Sequence, residues 1–501
     1  MRWLVLLCFF GLTLASRQAF AQGNDLLGPA GGRAALMGNT GVALGRDGAA
    51  ALYNPATIVR VQDTHLAFSA HFFSFSLTSF SNWHAPAAPD ADQFGSRTLG
   101  NTNLTNSTFH LPPSTVCLFL TLEDLAKLSS LNEYQDSPAE LEARQKLAIC
   151  FASLESEDLD LQAISFNGET RAGPTAQVQS LERHWSRTYV GPTYSVNVNE
   201  NLALGASLQV VYSQTSFGVS GTTLSNTLDG GGAATTLTTS GRGRTFGLTG
   251  LVGATFRHRR YTFGVSARAP VFRISGSYEG AYERSLMGTS QDEEAIVASG
   301  SGPMYSSPPV RLAFGAGVAL NRLTLEADAA LSLPFQSILS TDLEVTQSRL
   351  TADGVERNQS SEHYGVKSHP TLNPSLGAEY RLSQGLSLLC GLSANFSSLG
   401  ALHPTDSIGN LVQARTHHVN ASVGMGSYWQ DGELLFGLQF DYGWGQAVTL
   451  DPYALPNKFA VVDAQTYTLM FVLSGAANLK SILRTVNKIA GSEEAAPDKK
   501  K

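Results

Sequence analysis

The chain has 501 residues, a net charge of −7 and only 15% charged residues, so it offers no basic face to nucleic acid. Its four cysteines are too few for a disulfide-stapled scaffold, and its 48 glycines with a mean hydropathy of −0.05 point away from a helical membrane protein. Length alone would allow about two to four domains, although β-barrels run long as single units.

The first stretch, MRWLVLLCFFGLTLASRQAFAQ, reads as a secretory leader. Arg2 supplies the positive end, an apolar run follows, and Ala19-Phe20-Ala21 fits the small-x-small cleavage pattern. Residues 1–21 are expected to be removed, and Cys8 with them. Cys117, Cys150 and Cys390 then remain. No later stretch reaches the length of an apolar transmembrane helix.

Residues 28–60, GPAGGRAALMGNTGVALGRDGAAALYNPATIVR, are too small and too rich in glycine to form a core of their own. They also lack the period-2 pattern of a strand. The spacing predicts a segment that folds into something else, a plug over residues 22–60.

From residue 64 the chain turns to long alternating arms joined by very short turns. Turns fall at Asn199-Glu200-Asn201, His258-Arg259-Arg260, Asn321-Arg322, Ser383-Gln384-Gly385 and Gln430-Asp431-Gly432. Each arm has about ten residues or more, the length a tilted strand needs to cross a bilayer. One face of each arm is apolar. After Arg322, Leu323, Leu325, Ala327, Ala329, Leu331 and Leu333 oppose Thr324, Glu326, Asp328 and Ser332. Leu386, Leu388, Cys390 and Leu392 oppose Ser387, Gly391 and Ser393; Leu434, Phe436, Leu438 and Phe440 oppose Gly437, Gln439 and Asp441. The apolar face of that last arm ends in Tyr442 and Trp444, as an aromatic girdle would. The apolar face is therefore assigned to lipid and the polar face to a lumen.

Between the arm pairs lie polar stretches, read as long loops at 81–111, 157–183, 217–242, 279–308, 343–363, 400–411 and 449–464. The third, rich in Gly, Ser and Thr, reads as flexible. Short turns on one side and long loops on the other mark an outer-membrane barrel. The fold class is all-β: a transmembrane antiparallel β-barrel of 14 strands, with 12 as the alternative, over residues 61–475. Both termini are then periplasmic. Short strands at 114–121 and 146–153 flank a connection, 123–145, that reads as helical. Residues 478–490 fit an amphipathic helix, followed by a charged tail; 476–501 form a periplasmic extension with a possible partner of its own.

The run Gly32-Arg33-Ala34-Ala35-Leu36-Met37-Gly38, then Asp47, Ala49, Ala50 and Ala51, then Asn54-Pro55-Ala56, resembles the hatch of the FadL/TodX family. The barrel matches in hairpin rhythm. These proteins are outer-membrane transporters of long-chain fatty acids and other hydrophobic molecules. The resemblance implies capture of a hydrophobic ligand by outer loops, passage through a hatch-plugged barrel, and exit through a gap beside a kinked third strand. Here the third strand, KLAICFAS, holds no glycine to make that kink. The chain also runs on past its last strand. The resemblance admits a second function, a non-transporting, PorV-like anchor that binds a partner, and, lower in rank, a lipid-modifying enzyme. It implies a monomer among outer-membrane lipids with no cofactor.

Candidate site residues follow. Asn54, Pro55 and Ala56 would set the hatch against the wall. On the polar face stand Arg268, Glu326, Asp328, Glu379, Arg381, Gln439 and Asp441. Arg268 or Arg381 could meet a ligand carboxylate; equally, these charges could pair with one another and with hatch polar groups. His417 and His418 are adjacent in a strand, face opposite ways and cannot easily share a metal ion. Cys117 and Cys150 fall on neighbouring strands of an oxidising compartment, where their register decides whether they bridge. Cys390 faces lipid. No Gly-x-Ser-x-Gly, His-Glu-x-x-His or phosphate loop is present.

Overall fold

The computed structural model describes residues 24, 30–61, 65–81, 98–99, 104–110, 113–121, 145–170, 173–226, 232–288, 294–334, 338–351, 353–402, 414–451 and 458–479. The leader lies outside these residues. So, apart from their end residues, do the helical readings over 123–145 and 478–490.

The chain forms a closed antiparallel barrel of 14 strands. In chain order they are β1 (His65–Ser81), β2 (Leu104–His110 and Pro113–Thr121), β3 (Gln145–Thr170), β4 (Gly173–Asn197), β5 (Leu202–Asn226) and β6 (Gly232–His258). β7 (Tyr261–Arg268 and Phe272–Met287), β8 (Glu294–Ser306 and Val310–Ala319), β9 (Leu323–Leu333 and Leu339–Thr351) and β10 (Gly354–Val366 and Thr371–Arg381) each come in two pieces. β11 (Leu386–Asn395), β12 (Ala414–Trp429), β13 (Gly432–Asp451) and β14 (Lys458–Asn478) complete the wall. Each strand pairs with its sequence neighbours, and β14 closes on β1 from His65↔Asn478 to Ser81↔Asp463. Closure leaves no edge in the membrane, where an unpaired backbone group would cost several kcal/mol. Among the described residues no helix is long and apolar enough to cross a membrane.

The strands turn where the short polar hinges stand. The apolar face points out: Leu325, Leu388, Leu392, Phe436, Leu438 and Phe440 are exposed, while Glu326, Ser387 and Gln439 are buried inside. Tyr442 stacks on Trp444 at 5.6 Å and meets Tyr467 at 5.1 Å, which joins the girdle across β13 and β14.

Four of the polar stretches, 157–183, 217–242, 279–308 and 343–363, differ from the reading as loops. β5 and β6 stay paired through 217–242 to Asn226↔Gly232, and β3 and β4 to Thr170↔Gly173. β9 and β10 pair to Thr351↔Gly354, and β7 and β8 to Leu286↔Glu294. Ser, Thr and Gly suppress the hydropathy alternation here, but the backbone ladder needs no apolar face when both neighbours supply rungs. The third strand is likewise 26 residues long, far beyond the eight read for it.

On one side the wall is creased. β7, β8, β9 and β10 all break at one height, at Pro270, Pro308-Pro309, Pro334 and Pro370. Proline has no N–H for a ladder rung, and these prolines stand where the strand pieces end.

Candidate functional site

Residues 30–61 lie inside the barrel. They carry two short helices, α1 (Gly32–Leu36) and α2 (Ala50–Tyr53), and a 3-10 helix, Pro55–Arg60. The segment is too short to fold alone, and the wall supplies what it lacks. Gly41 and Val42 donate N–H to Asp328 Oδ2 at 2.8 and 3.0 Å; Ala43 and Leu44 donate to Glu326 Oε1 at 2.8 and 2.7 Å. Two buried acids of β9 thus hold four successive amides.

A third acid fixes the cations. Glu379 of β10 receives Arg33 at 3.0 Å and Arg46 at 2.9 Å, and Tyr428 OH donates to it at 2.9 Å. Arg33 and Glu379 are almost fully buried, so each is the condition for the other's burial. Asp47 closes the segment on itself: it accepts the N–H of Ala34 at 3.0 Å and of Ala49 at 3.2 Å. Burial, the largest influence, pushes its carboxyl above the ordinary range, against those N–H groups and the Arg33 charge.

Asn54 does three things. Its Oδ1 caps the 3-10 helix by accepting the Ala56 N–H at 3.1 Å, and Pro55 starts that helix without an N–H to satisfy. Its Nδ2 donates to Val42 O at 2.7 Å and to Ala254 O of β6 at 3.2 Å. Ser195 of β4 donates to Ala56 O at 3.3 Å, Ser207 of β5 to Ala51 O at 3.2 Å and Ser266 of β7 to Tyr53 O at 2.6 Å. Ser422 of β12 donates to Leu36 O at 3.0 Å. Inward glycines let backbone meet backbone: a Cβ at Gly264, Gly377 or Gly391 would collide with Val42, Met37 or Gly38.

Beyond the segment, on the side away from the short turns, the lumen changes character. Leu181, Phe217, Leu237, Tyr278, Met304 and Leu343, all nearly fully buried, form one apolar cluster with residues of β1, β12, β13 and β14. A water-filled barrel would line this space with polar groups. Here opposite walls meet through apolar side chains.

No family model matches the chain, and no curated protein matches it. Solved structures do match in fold. A TodX monoaromatic hydrocarbon channel with the deltaS2S3 mutation superposes with a TM-score of 0.53 at 14% identity, over 90% of this chain and 100% of that one. Its deltaS2 mutant gives 0.52 at 15%, over 90% and 98%. The toluene transporter TodX of Pseudomonas putida gives 0.50 at 14%, over 90% and 99%.

The chain has the FadL/TodX fold.

Within this fold the candidate residues separate. Glu326, Asp328 and Glu379 are buried on the inner segment, as acids pairing with the segment would be. Arg268 is buried above it, register partner of Arg311, whose guanidinium lies 5.4 Å over the Tyr53 ring. Asp441 Oδ1 accepts from His418 Nδ1 at 2.6 Å, and Thr416 meets the other ring nitrogen at 2.8 Å. Gln439 is buried on the same face of β13. Arg381 differs from its reading as a lumen residue. It stands exposed at the turn-side mouth, in a pocket of about 360 Å³ with Arg46, Arg60, Tyr428 and Glu433. β10 ends at that residue, which is why its side chain leaves the lumen. His417 faces Trp444 and Phe396, away from His418's partner. Cys117 and Cys150 are register partners of β2 and β3 and are joined by a disulfide; Cys390 is exposed on the outer face.

Sequence reasoning did not find Arg46, Tyr428, Ser422 or the inward glycines as wall and plug contacts. Arg46 was the findable one: a cation in a largely apolar segment needs an acid, and the polar faces held few.

Proposed function

We propose that the protein is an outer-membrane channel that admits hydrophobic small molecules, with residues 30–61 as its hatch and both termini periplasmic. The observation that carries this reading is the lumen's division into two layers. A polar layer grips the inner segment; an apolar layer lies on the side the solute would enter. A hydrophobic solute gains nothing from a wet pore but is favoured by apolar side chains, at about 25 cal/mol per Å² removed from water. Likeness in fold to channels titled for monoaromatic hydrocarbons and toluene agrees with such cargo.

On this reading the ligand enters among the long extracellular hairpins, parts the apolar side chains around Phe217 and Met304, and rests above Tyr53. Arg268 and Arg311 stand at that depth and would face any acidic headgroup. The hatch blocks ions and polar solutes throughout. The experiment is mass spectrometry of the detergent-purified protein. A co-purified apolar molecule, lost in a variant carrying Met304→Asp, is the expected result. A stoichiometric protein partner with no apolar ligand would favour an anchor instead.

A further inference from the structure

The outward face of β6 changes chemistry at one height. Phe256, Val252 and Phe246 are exposed on it, while Thr255, Thr249 and Thr245 of the opposite face are buried inside. From Phe256 to Phe246 the strand runs about 33 Å at about 3.3 Å per residue, which at a tilt of about 40° gives about 25 Å of height, the whole apolar band of a barrel. The next two outward side chains are Arg244 and Arg242, both exposed. Their flanking glycines, Gly243 and Gly241, face the lumen, where a Cβ would strike Met304 and Tyr278. Two guanidinium groups thus stand one above the other, directly past the last ring of the band.

The neighbouring strands build around this pair. Tyr212 of β5 is the rung partner of Phe246, so two exposed aromatic rings lie just beneath, as at a membrane–water boundary. Arg244 has Gln214 of β5 as its rung partner on one side and Ser277 of β7 on the other. Tyr212 OH donates to Gln214 Oε1 at 3.3 Å, which leaves the Gln214 amide N–H groups for another acceptor. Arg244 has no acidic partner among the described residues. Arg242 meets Glu279 Oε2 at 3.3 Å, but both are exposed, and an exposed pair holds weakly. Further out, by contrast, Arg284 and Arg349 both lie against Glu294. On β9, level with Arg242 through Glu279 and Ser301, stands the exposed acid Glu344. The positive charge on this side of the barrel is therefore local to β6.

We infer that this face binds a phosphate-bearing glycolipid of the outer leaflet. Arg244 and Arg242 take the phosphate, Gln214 and Ser277 add donors beside it, and the acyl chains lie along Tyr212, Phe246 and Val252. A guanidinium matches a phosphate through two parallel N–H bonds, and basic side chains at a membrane surface attract lipid anions. The position selects a lipid over a soluble partner, because the apolar stripe that continues down from Arg244 lies among lipid tails. The bound molecule would bridge β5, β6 and β7 at the height where their hairpins leave the membrane. The inference rests on the outer-membrane placement proposed above, with the long hairpins outside.

The test uses the full chain purified in a nonionic detergent, with diphosphoryl lipid A as probe and native mass spectrometry as readout. Wild type is expected to bind it, and Arg242→Ala with Arg244→Ala to weaken that binding at least tenfold. Equal binding by both proteins would overturn the site. Lipid A stripped of its phosphates should bind wild type at least tenfold more weakly; equal binding would show contact with acyl chains alone and overturn the phosphate assignment. Inorganic phosphate in tenfold excess should displace no lipid, and displacement would make this a free-anion site and overturn the lipid. Placement is checked separately, by an epitope inserted after Asn226 and labelled on intact cells. Absence of label at normal abundance would overturn the placement and the site with it, whereas labelling with equal lipid binding by wild type and variant overturns the site alone. Should the double variant fail to assemble, Arg244→Gln decides: it is expected to weaken binding three- to fivefold, and unchanged binding would count against the site.

Discussion

Glu379 shows most clearly how one side chain decides a larger structure. It answers Arg33 and Arg46 at once, and Tyr428 steadies it. Glu379→Gln keeps the shape and removes the charge, so a buried Arg33 is left beside an amide. Stranding a buried charge in this way costs about 3–5 kcal/mol. The inner segment should loosen: planar-bilayer recordings are expected to show frequent channel openings that wild type lacks, and a closed baseline would mean the segment is held chiefly by other contacts. Gly391 is the apolar counterpart. Its missing Cβ lets Gly38 touch the wall, and Gly38 itself sits at φ 68°, a left-handed conformation that glycine tolerates. Gly391→Ala should unseat the segment without adding or removing charge, and the same recordings check it.

At the scale of elements, the long hairpins carry the clearest lesson. Thr215, Phe217, Val219 and Thr223 of β5 face inward with strand periodicity, but half of them are hydroxyl residues and the hydropathy signal is weak. Composition therefore reads as loop where pairing with β4 and β6 makes a strand. Hydrogen exchange distinguishes the two directly. Amides of 213–226 should exchange as slowly as those of the membrane rungs, over hours, where an open loop would exchange almost at once. The β2–β3 disulfide is the other element-level feature. It closes a loop between residues 33 apart, so Cys117→Ala with Cys150→Ala should lower stability by about 2–4 kcal/mol, read as a lower midpoint in heat-modifiability gels. An unchanged midpoint would show that the ladder alone secures this seam.

For the whole molecule, the outward apolar face, the strand count and five of the turns were legible, because lipid on one side and a lumen on the other impose strict alternation. Leu325 against Glu326, and Phe440 against Gln439, carry that pattern openly. What was not legible depends on contacts remote in sequence. Nothing near Glu379 announces Arg33, which lies 346 residues away, and nothing near Pro308 tells that Pro270 stands beside it across the crease. The apolar upper lumen was missed because its members, from Phe80 to Ala464, are scattered among polar stretches read as loops. The account's central claim is that this lumen layer is the way in for hydrophobic solutes. The most direct measurement is oleate uptake in a transporter-deleted strain expressing wild type or Phe217→Arg at equal outer-membrane abundance. The account predicts uptake several-fold above background for wild type and near background for the variant; equal uptake by both would contradict it.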